Sequence, residues 1–211
     1  MCFPILPLGR TQILPMAIAA LLRQHPQLHV ATVESPYDVL AASLRSGDID
    51  FILGALRGVP GDSEISEEPL LLDRISVIAR AGHPLAGRRI GLAEMRRATW
   101  VLSRRGAPSR ELFDRFFSDA RHGPPSPSVE TGDLAVLRCL LLESDMLTAI
   151  SAHQLRYEIR DGSLVVIDFP LERTLRQIGV SLRLGTLPSP GARALMEEVR
   201  KVVRDSSDFR A

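Results

Sequence analysis

Cysteine, tryptophan, tyrosine and lysine are all scarce in this chain, which holds two, one and two of the first three and, in Lys201, a single lysine. Cys2 stands near one end and Cys139 sits inside an apolar helical pattern, so neither a disulfide framework nor a cysteine metal site is supported. No stretch approaches the roughly 18 apolar residues of a membrane span, and no basic segment leads into an apolar core and cleavage site. A cytoplasmic protein with no membrane partner is expected. Neither sign of charge dominates: 26 basic and 25 acidic residues leave +1, far from the balance of an isolated nucleic-acid-binding domain. Nearly all the basic residues are arginine, which the codon bias of a GC-rich genome explains more simply than a need for bidentate anion recognition.

The motifs of common chemistries are missing as well. There is no G-x-S-x-G elbow, and no histidine lies near a paired aspartate at a recognisable spacing. H-E-x-x-H, P-loop and G-x-G-x-x-G patterns are also absent. Catalysis, a metal and a nucleotide cofactor are therefore not expected, and His83 and His153 read as turn or surface residues.

What remains is 45% hydrophobic residues arranged with clear periodicity, enough to bury one large core or two modest ones. Ile13, Leu14, Ala17, Ile18, Leu21 and Leu22 recur at helical spacing up to His25-Pro26, and a β-rich run, Leu28 to Glu34, follows. Ser35-Pro36-Tyr37-Asp38 predicts a capped helix start, with Ser35 as N-cap and Asp38 closing a capping box, and Gly47 predicts its end. A short strand from Ile49 to Leu53 is expected to break at Gly54, before a loop over Gly58 to Glu68. Pro69 to Leu72 and Arg74 to Arg80 read as a strand pair or one interrupted strand.

A second α/β series follows: strand Thr99 to Leu102, helix Ser109 to Ala120, strand Ser128 to Thr131, helix Leu134 to Leu142 and strand Met146 to Ile150. Leu164 to Phe169 and Leu175 to Leu184 are further strands, and Ser189-Pro190 caps a final amphipathic helix. Strands separated by helices imply right-handed βαβ crossovers and a parallel sheet.

Several phrases in this order resemble one family. They are Leu14-Pro15, His25-Pro26, Leu40 through Leu44, Gly47-Asp48-Ile49-Asp50-Phe51 and Ala81-Gly82-His83-Pro84-Leu85. Over essentially the whole chain they resemble the effector-binding domain of LysR-type transcriptional regulators. Thr131-Gly132-Asp133, Ser151-Ala152-His153-Gln154 and Leu187-Pro188-Ser189-Pro190-Gly191 resemble the subgroup of the galactose-binding-protein regulator, whose ligands are sugars.

The resemblance implies an α/β fold of the type 2 periplasmic-binding-protein kind, with two Rossmann-like lobes joined by two crossover strands. Lobe one would comprise residues 1–79 plus 178–211 and lobe two residues 80–177, with the hinge near Ala79 and Ile178. It also implies a small-molecule effector held between the lobes, a homodimer or higher homo-oligomer, and DNA contact only through a winged helix-turn-helix upstream of Met1, a motif this sequence does not contain. A solute receptor feeding a transporter would share the fold, and a signal peptide rather than a helix-turn-helix upstream would identify it.

In parallel sheets, ligands bind beyond the carboxyl ends of the strands. That rule selects Arg10 and Thr11, Ser35, Gly54, Ser103 and Arg104, and Thr131 and Asp133. Thr11, Ser35 and Asp133 can equally serve as helix caps, and Arg104 and Arg105 as solvated surface. With so few aromatic residues to stack on, a polar ligand, a sugar or sugar acid, is expected.

Overall fold

The computed structural model describes residues 2–4, 9–58 and 64–206. The chain begins with β1 (Cys2–Pro4), a π-helical turn (Gly9–Ile13), α1 (Leu14–Gln24), β2 (Ala31–Val33), α2 (Tyr37–Ser46) and β3 (Ile52–Ala55). It continues through β4 (Ile65–Arg80), α3 (Leu92–Arg97), β5 (Thr99–Leu102), α4 (Pro108–Asp119), β6 (Val129–Glu130), α5 (Leu134–Glu143) and β7 (Met146–Ser151). A 3-10 turn (Ala152–Leu155), α6 (Arg156–Asp161), β8 (Leu164–Val166), β9 (Leu175–Arg183) and α7 (Pro190–Asp205) complete it.

Two compact units result, one of Met1–Asp73 with Arg176–Ala211 and the other of Arg74–Leu175. The chain passes between them within β4 and within β9, a few residues earlier at both places than the Ala79 and Ile178 anticipated from the sequence. Both passages lie inside unbroken strands, where no turn residue marks the division.

In the first unit, β1 pairs with β2 in parallel and β3 pairs with β9 antiparallel. Phe51, Leu53 and Ala55 point into a core with Ile13, Leu14, Ala17, Leu21, Ile178, Val180, Leu195 and Val199. Ile52, on the opposite face, joins Leu40, Leu44 and Ile49 beneath α2. Alternate residues thus serve two cores, as the period of a strand requires. α2 stops at Gly47, whose φ of 84° is the left-handed C-cap that glycine adopts without steric penalty. Ser189 caps α7 by accepting from the Ala192 N–H at 3.2 Å, as its sequence predicts.

In the second unit, β4 pairs antiparallel with β7 and β8, while β5 runs parallel to both β7 and β6. Trp100, Leu102, Leu147 and Ala149 face the aromatic side of α4, where the Trp100 and Phe113 rings lie 4.8 Å apart. Val101 and Ile150 face Leu137 and Leu141 of α5. Helices cover both faces, which is why these strands read as continuous apolar runs.

Three expectations are corrected. The pairing is mixed rather than parallel, because β4 and β9 run antiparallel to several of their neighbours. Gly54 does not end β3; it lies inside the strand, buried opposite Gly179. The short helices α3 and α6 are too brief to give a periodic signal, and the sequence reading lacks them.

Gly179 is fixed by close approach. A Cβ there would lie 2.0 Å from the Glu68 carbonyl oxygen of β4, a distance only backbone displacement can relieve. Gly179→Ala should therefore lower the stability in urea unfolding by about 1–3 kcal/mol. Gly123→Ala, at a position with nothing within 4 Å, should stay within about 0.5 kcal/mol of the parent. Equal midpoints for the two variants would refute the close-approach account.

Candidate functional site

β5 and β6 lie side by side in parallel with Val101 opposite Val129 and Leu102 opposite Glu130, so the residues that follow them, Ser103 and Thr131, emerge as neighbours. The Thr131 N–H donates to the Leu102 carbonyl at 3.0 Å, fixing the two loops against each other. This is the sheet edge at which ligands of parallel α/β proteins are held.

Each loop is locally determined. Ala107 N–H donates to the Arg104 carbonyl at 3.2 Å across a turn in which Gly106 takes φ 83°, so Arg104 and Arg105 stay at the surface with exposed side chains. The Ser103 hydroxyl accepts from the buried Ser109 hydroxyl at 3.1 Å. In the second loop the Thr131 hydroxyl accepts from the Asp133 N–H at 3.0 Å, and Asp133 Oδ1 accepts from Ala135 and Val136 N–H at 2.8 and 3.2 Å. Asp133 is thus the N-cap of α5, the structural role weighed for it from sequence. Its Oδ2 and the hydrogens of the Ser103 and Thr131 hydroxyls are not used in these bonds.

One buried residue that the sequence reading did not select ties these loops together. Arg110, 3% exposed, donates from Nε to both Asp114 carboxylate oxygens at 2.9 and 3.0 Å, and from Nη1 to Glu130 Oε1 at 2.6 Å and the Ser103 carbonyl at 3.2 Å. Burial works against its charge, but the hydrogen bonds to Glu130 and Asp114 outweigh that and raise its pKa above the ordinary arginine value. The ends of β5 and β6 and the first turn of α4 therefore share a single guanidinium. The signal was present in the sequence, since Arg110 occupies the helical face of Phe113 and Phe117.

In the first unit the candidates are dispersed. Thr11 lies within the π-helical turn, half-buried, and the side chain of Arg10 lies outside what is described. Ser35 is not the N-cap: α2 begins at Tyr37, and Pro36 holds the N-cap position without a side-chain cap bond. The helix starts one residue later than expected, which leaves Ser35 a position too far away and leaves the box with Asp38 unformed. With Gly54 inside β3, the loop leaving that strand starts at Leu56, whose N–H still donates to the Gln177 carbonyl at 3.0 Å.

His83 is a turn residue. Its Nδ1 accepts from the Leu85 N–H at 3.0 Å and its Nε2 lies 3.1 Å from the Asp145 carbonyl, contacts that the tautomer with hydrogen on Nε2 satisfies together. Among the described residues no group of three or more His, Cys, Asp or Glu side chains is arranged to hold a metal, and no helix is long and apolar enough to cross a membrane.

Two α/β units with paired loops at a carboxyl strand edge are an architecture that many binding domains share, and the comparison with family models makes the class specific. The model of the LysR substrate binding domain matches residues 5–204, and the chain belongs to that family. It is 49% identical over 202 residues to the HTH-type transcriptional regulator GalR of Pseudomonas putida, a match covering 96% of this chain and 51% of the relative. To the HTH-type transcriptional regulator GbpR of Azospirillum brasilense it is 26% identical over 185 residues, covering 87% of this chain and 54% of the relative. The chain thus spans about half the length of these curated relatives.

Among solved structures, the regulatory domain of Synechocystis CcmR in complex with 2-PG superposes with a TM-score of 0.82 at 16% identity, covering 97% of both chains. The effector-binding domain of QuiR in complex with shikimate gives a TM-score of 0.78 at 13% identity, again with 97% of both chains covered. These likenesses place the fold with LysR effector-binding domains, of the type 2 periplasmic-binding-protein fold. Both curated relatives are transcriptional regulators.

Arg110→Met should loosen both loops at once. Removing one member of a fully buried pair costs about 3–5 kcal/mol. The Asp114 and Glu130 side chains, 30% and 40% exposed, can regain water, so the expected loss is nearer about 1–3 kcal/mol. Urea unfolding would measure it, and a loss under about 0.5 kcal/mol would show that the network is dispensable.

Proposed function

We propose that this chain is the effector-sensing domain of a cytoplasmic, DNA-binding LysR-type regulator, and that it binds a small polar metabolite at the carboxyl-edge loops of its strands. The supporting observation is the pairing of the Ser103 and Thr131 loops, which brings two hydroxyls and a carboxylate oxygen of Asp133 to one edge. Arg104 is the candidate cation there. Arg10, Thr11 and Ser35 are the candidates of the first unit, and the backbone beyond Gly54 replaces Gly54 itself. The lobes of the functional unit would then be the two compact units, divided within β4 and β9 rather than at residues 79 and 178.

Aromatic stacking has little to build on. Trp100 is fully buried in the core and the Tyr37 and Tyr157 rings lie under the arginines Arg57 and Arg156. Polar recognition, as of a sugar or sugar acid, fits this surface better than capture of an aromatic compound. A thermal-shift screen of sugars, sugar acids and aromatic acids tests the class, and stabilisation by aromatic acids alone would overturn it. Titration calorimetry with a stabilising compound tests the loops: Thr11→Ala and Asp133→Ser should each weaken binding by about tenfold, one good hydrogen bond's worth. Serine retains the cap of α5 and removes the carboxylate. Unchanged affinity in both variants would place the ligand elsewhere.

The protein partner is a second copy of the chain. Met16 on α1, and Val136 and Leu142 on α5, are 48%, 45% and 37% exposed, apolar surface that an isologous contact would cover. Light scattering at micromolar concentration should show a dimer for the parent and a shift toward monomer for Met16→Glu or Leu142→Glu. A parent that is wholly monomeric in that measurement would refute the pairing.

A further inference from the structure

Beyond Leu56 the backbone leaves the β3 ladder and closes on a carboxylate. The Arg57 N–H donates to Glu67 Oε1 at 2.9 Å, and the Gly58 N–H to Glu67 Oε2 at 3.0 Å. Two successive N–H groups aimed at one anion, with Gly58 at φ 55°, make the concave backbone nest that binds anions in many proteins. Its occupant takes one oxygen per N–H, so the size and charge the nest accepts are read directly from the group inside it. The Arg57 guanidinium, 4.7 Å from the centroid of the Tyr37 ring, adds a cation held by an aromatic face.

The place of this nest in the fold is what gives it meaning. It follows the carboxyl end of β3, the kind of loop that holds ligands in α/β folds. Glu67 reaches it from β4, and both Glu67 and Arg57 are half-buried. We propose that Arg57 and Gly58 form a carboxylate-receiving subsite which Glu67 fills as an internal stand-in, and that the effector carries a carboxylate that displaces it. The proposal deepens the sensing reading and rests on it: an acid is favoured over its neutral analogue.

The exchange is balanced in hydrogen bonds. The incoming carboxylate takes over both N–H donors while Glu67 returns to water, so the ligand gains its affinity from its remaining contacts, reduced by the fraction of molecules in which Glu67 still holds the nest. Weakening the stand-in must therefore tighten binding of an acid and leave a neutral ligand unaffected. Structural damage would act in the opposite direction.

Glu67→Gln makes the test, because its amide NH2 has no acceptor to offer and leaves one nest N–H unpaired. D-gluconate and benzoate, two carboxylates that share little beyond the anion, are titrated calorimetrically into parent and variant, with D-glucose as the neutral control. At least one acid should bind the variant about tenfold more tightly than the parent, the loss of one charge-assisted hydrogen bond by the competitor, with glucose unchanged.

Amide exchange supplies a readout independent of affinity. Arg57 and Gly58 N–H should exchange faster in the variant and be protected again by the bound acid. An acid that binds parent and variant equally, or the variant more weakly, overturns the subsite while leaving the sensing reading intact. If gluconate, benzoate and glucose all fail to bind either form at millimolar concentration, the subsite is refuted. The sensing reading stands or falls separately, on the broader screen.

Discussion

The close approach of β9 to β4 at Gly179 is the constraint on which the rest depends. Both strands contribute residues to both compact units, so their register decides which side chains enter which core. A slip of one residue would invert every side chain of β9, turning Ile178 and Val180 out of the core they share with Phe51 and Leu53. The backbone contact with Glu68, possible only without a Cβ, holds that register sterically. Asp73 and Arg176 reinforce it where the chain passes from one unit to the next. Arg176 donates from Nε to Asp73 Oδ2 at 2.9 Å, and the two side chains are 11% and 1% exposed. Desolvation offsets much of the attraction in such a pair, so its contribution lies in the one alignment it permits more than in net stability.

Arg110 applies the same logic at the candidate site. An apolar side chain there would pack against Phe113 and Phe117 without desolvation cost, but it would leave the Ser103 carbonyl and Glu130 with nothing in common. The guanidinium converts two loops of separate strands into one surface, because its planar fork reaches two elements in directions that rotamer freedom cannot blur. The polar groups at this carboxyl edge are thereby ordered in advance, which would lower the entropy that binding of a ligand there must overcome.

Where local signals were strong, the sequence was readable to within a residue or two. β5 and α5 carry clear periodicity, Gly47 and Ser189 their caps, and α7 its apolar stripe. Strand direction was unreadable because parallel and antiparallel partners present the same alternation to one chain. The apolar runs at Leu28 to Glu34 and Leu164 to Phe169 exceed the strands they form, β2 and β8, since burial continues past the last ladder bond. Ser35 failed as a cap through a one-residue shift that composition does not encode. At the site, the adjacency of Ser103 and Thr131 followed from the general rule about carboxyl ends. The Arg57 and Gly58 nest did not, since it needs a glutamate ten residues away and a positive φ, neither visible as a motif.

A sensor that fills its own anion site binds its ligand less tightly than it could, and that weakness has a use. A tethered competitor acts at an effective concentration set by the chain, independent of how much protein or ligand the cell holds. It therefore fixes the ligand level at which occupancy changes, and it discriminates, since only a ligand bringing its own carboxylate can replace what Glu67 gives up. A neutral molecule of the same shape would leave the nest closed and gain nothing from it. Specificity of this kind comes from what the empty state already satisfies, and it requires no additional contact in the bound one.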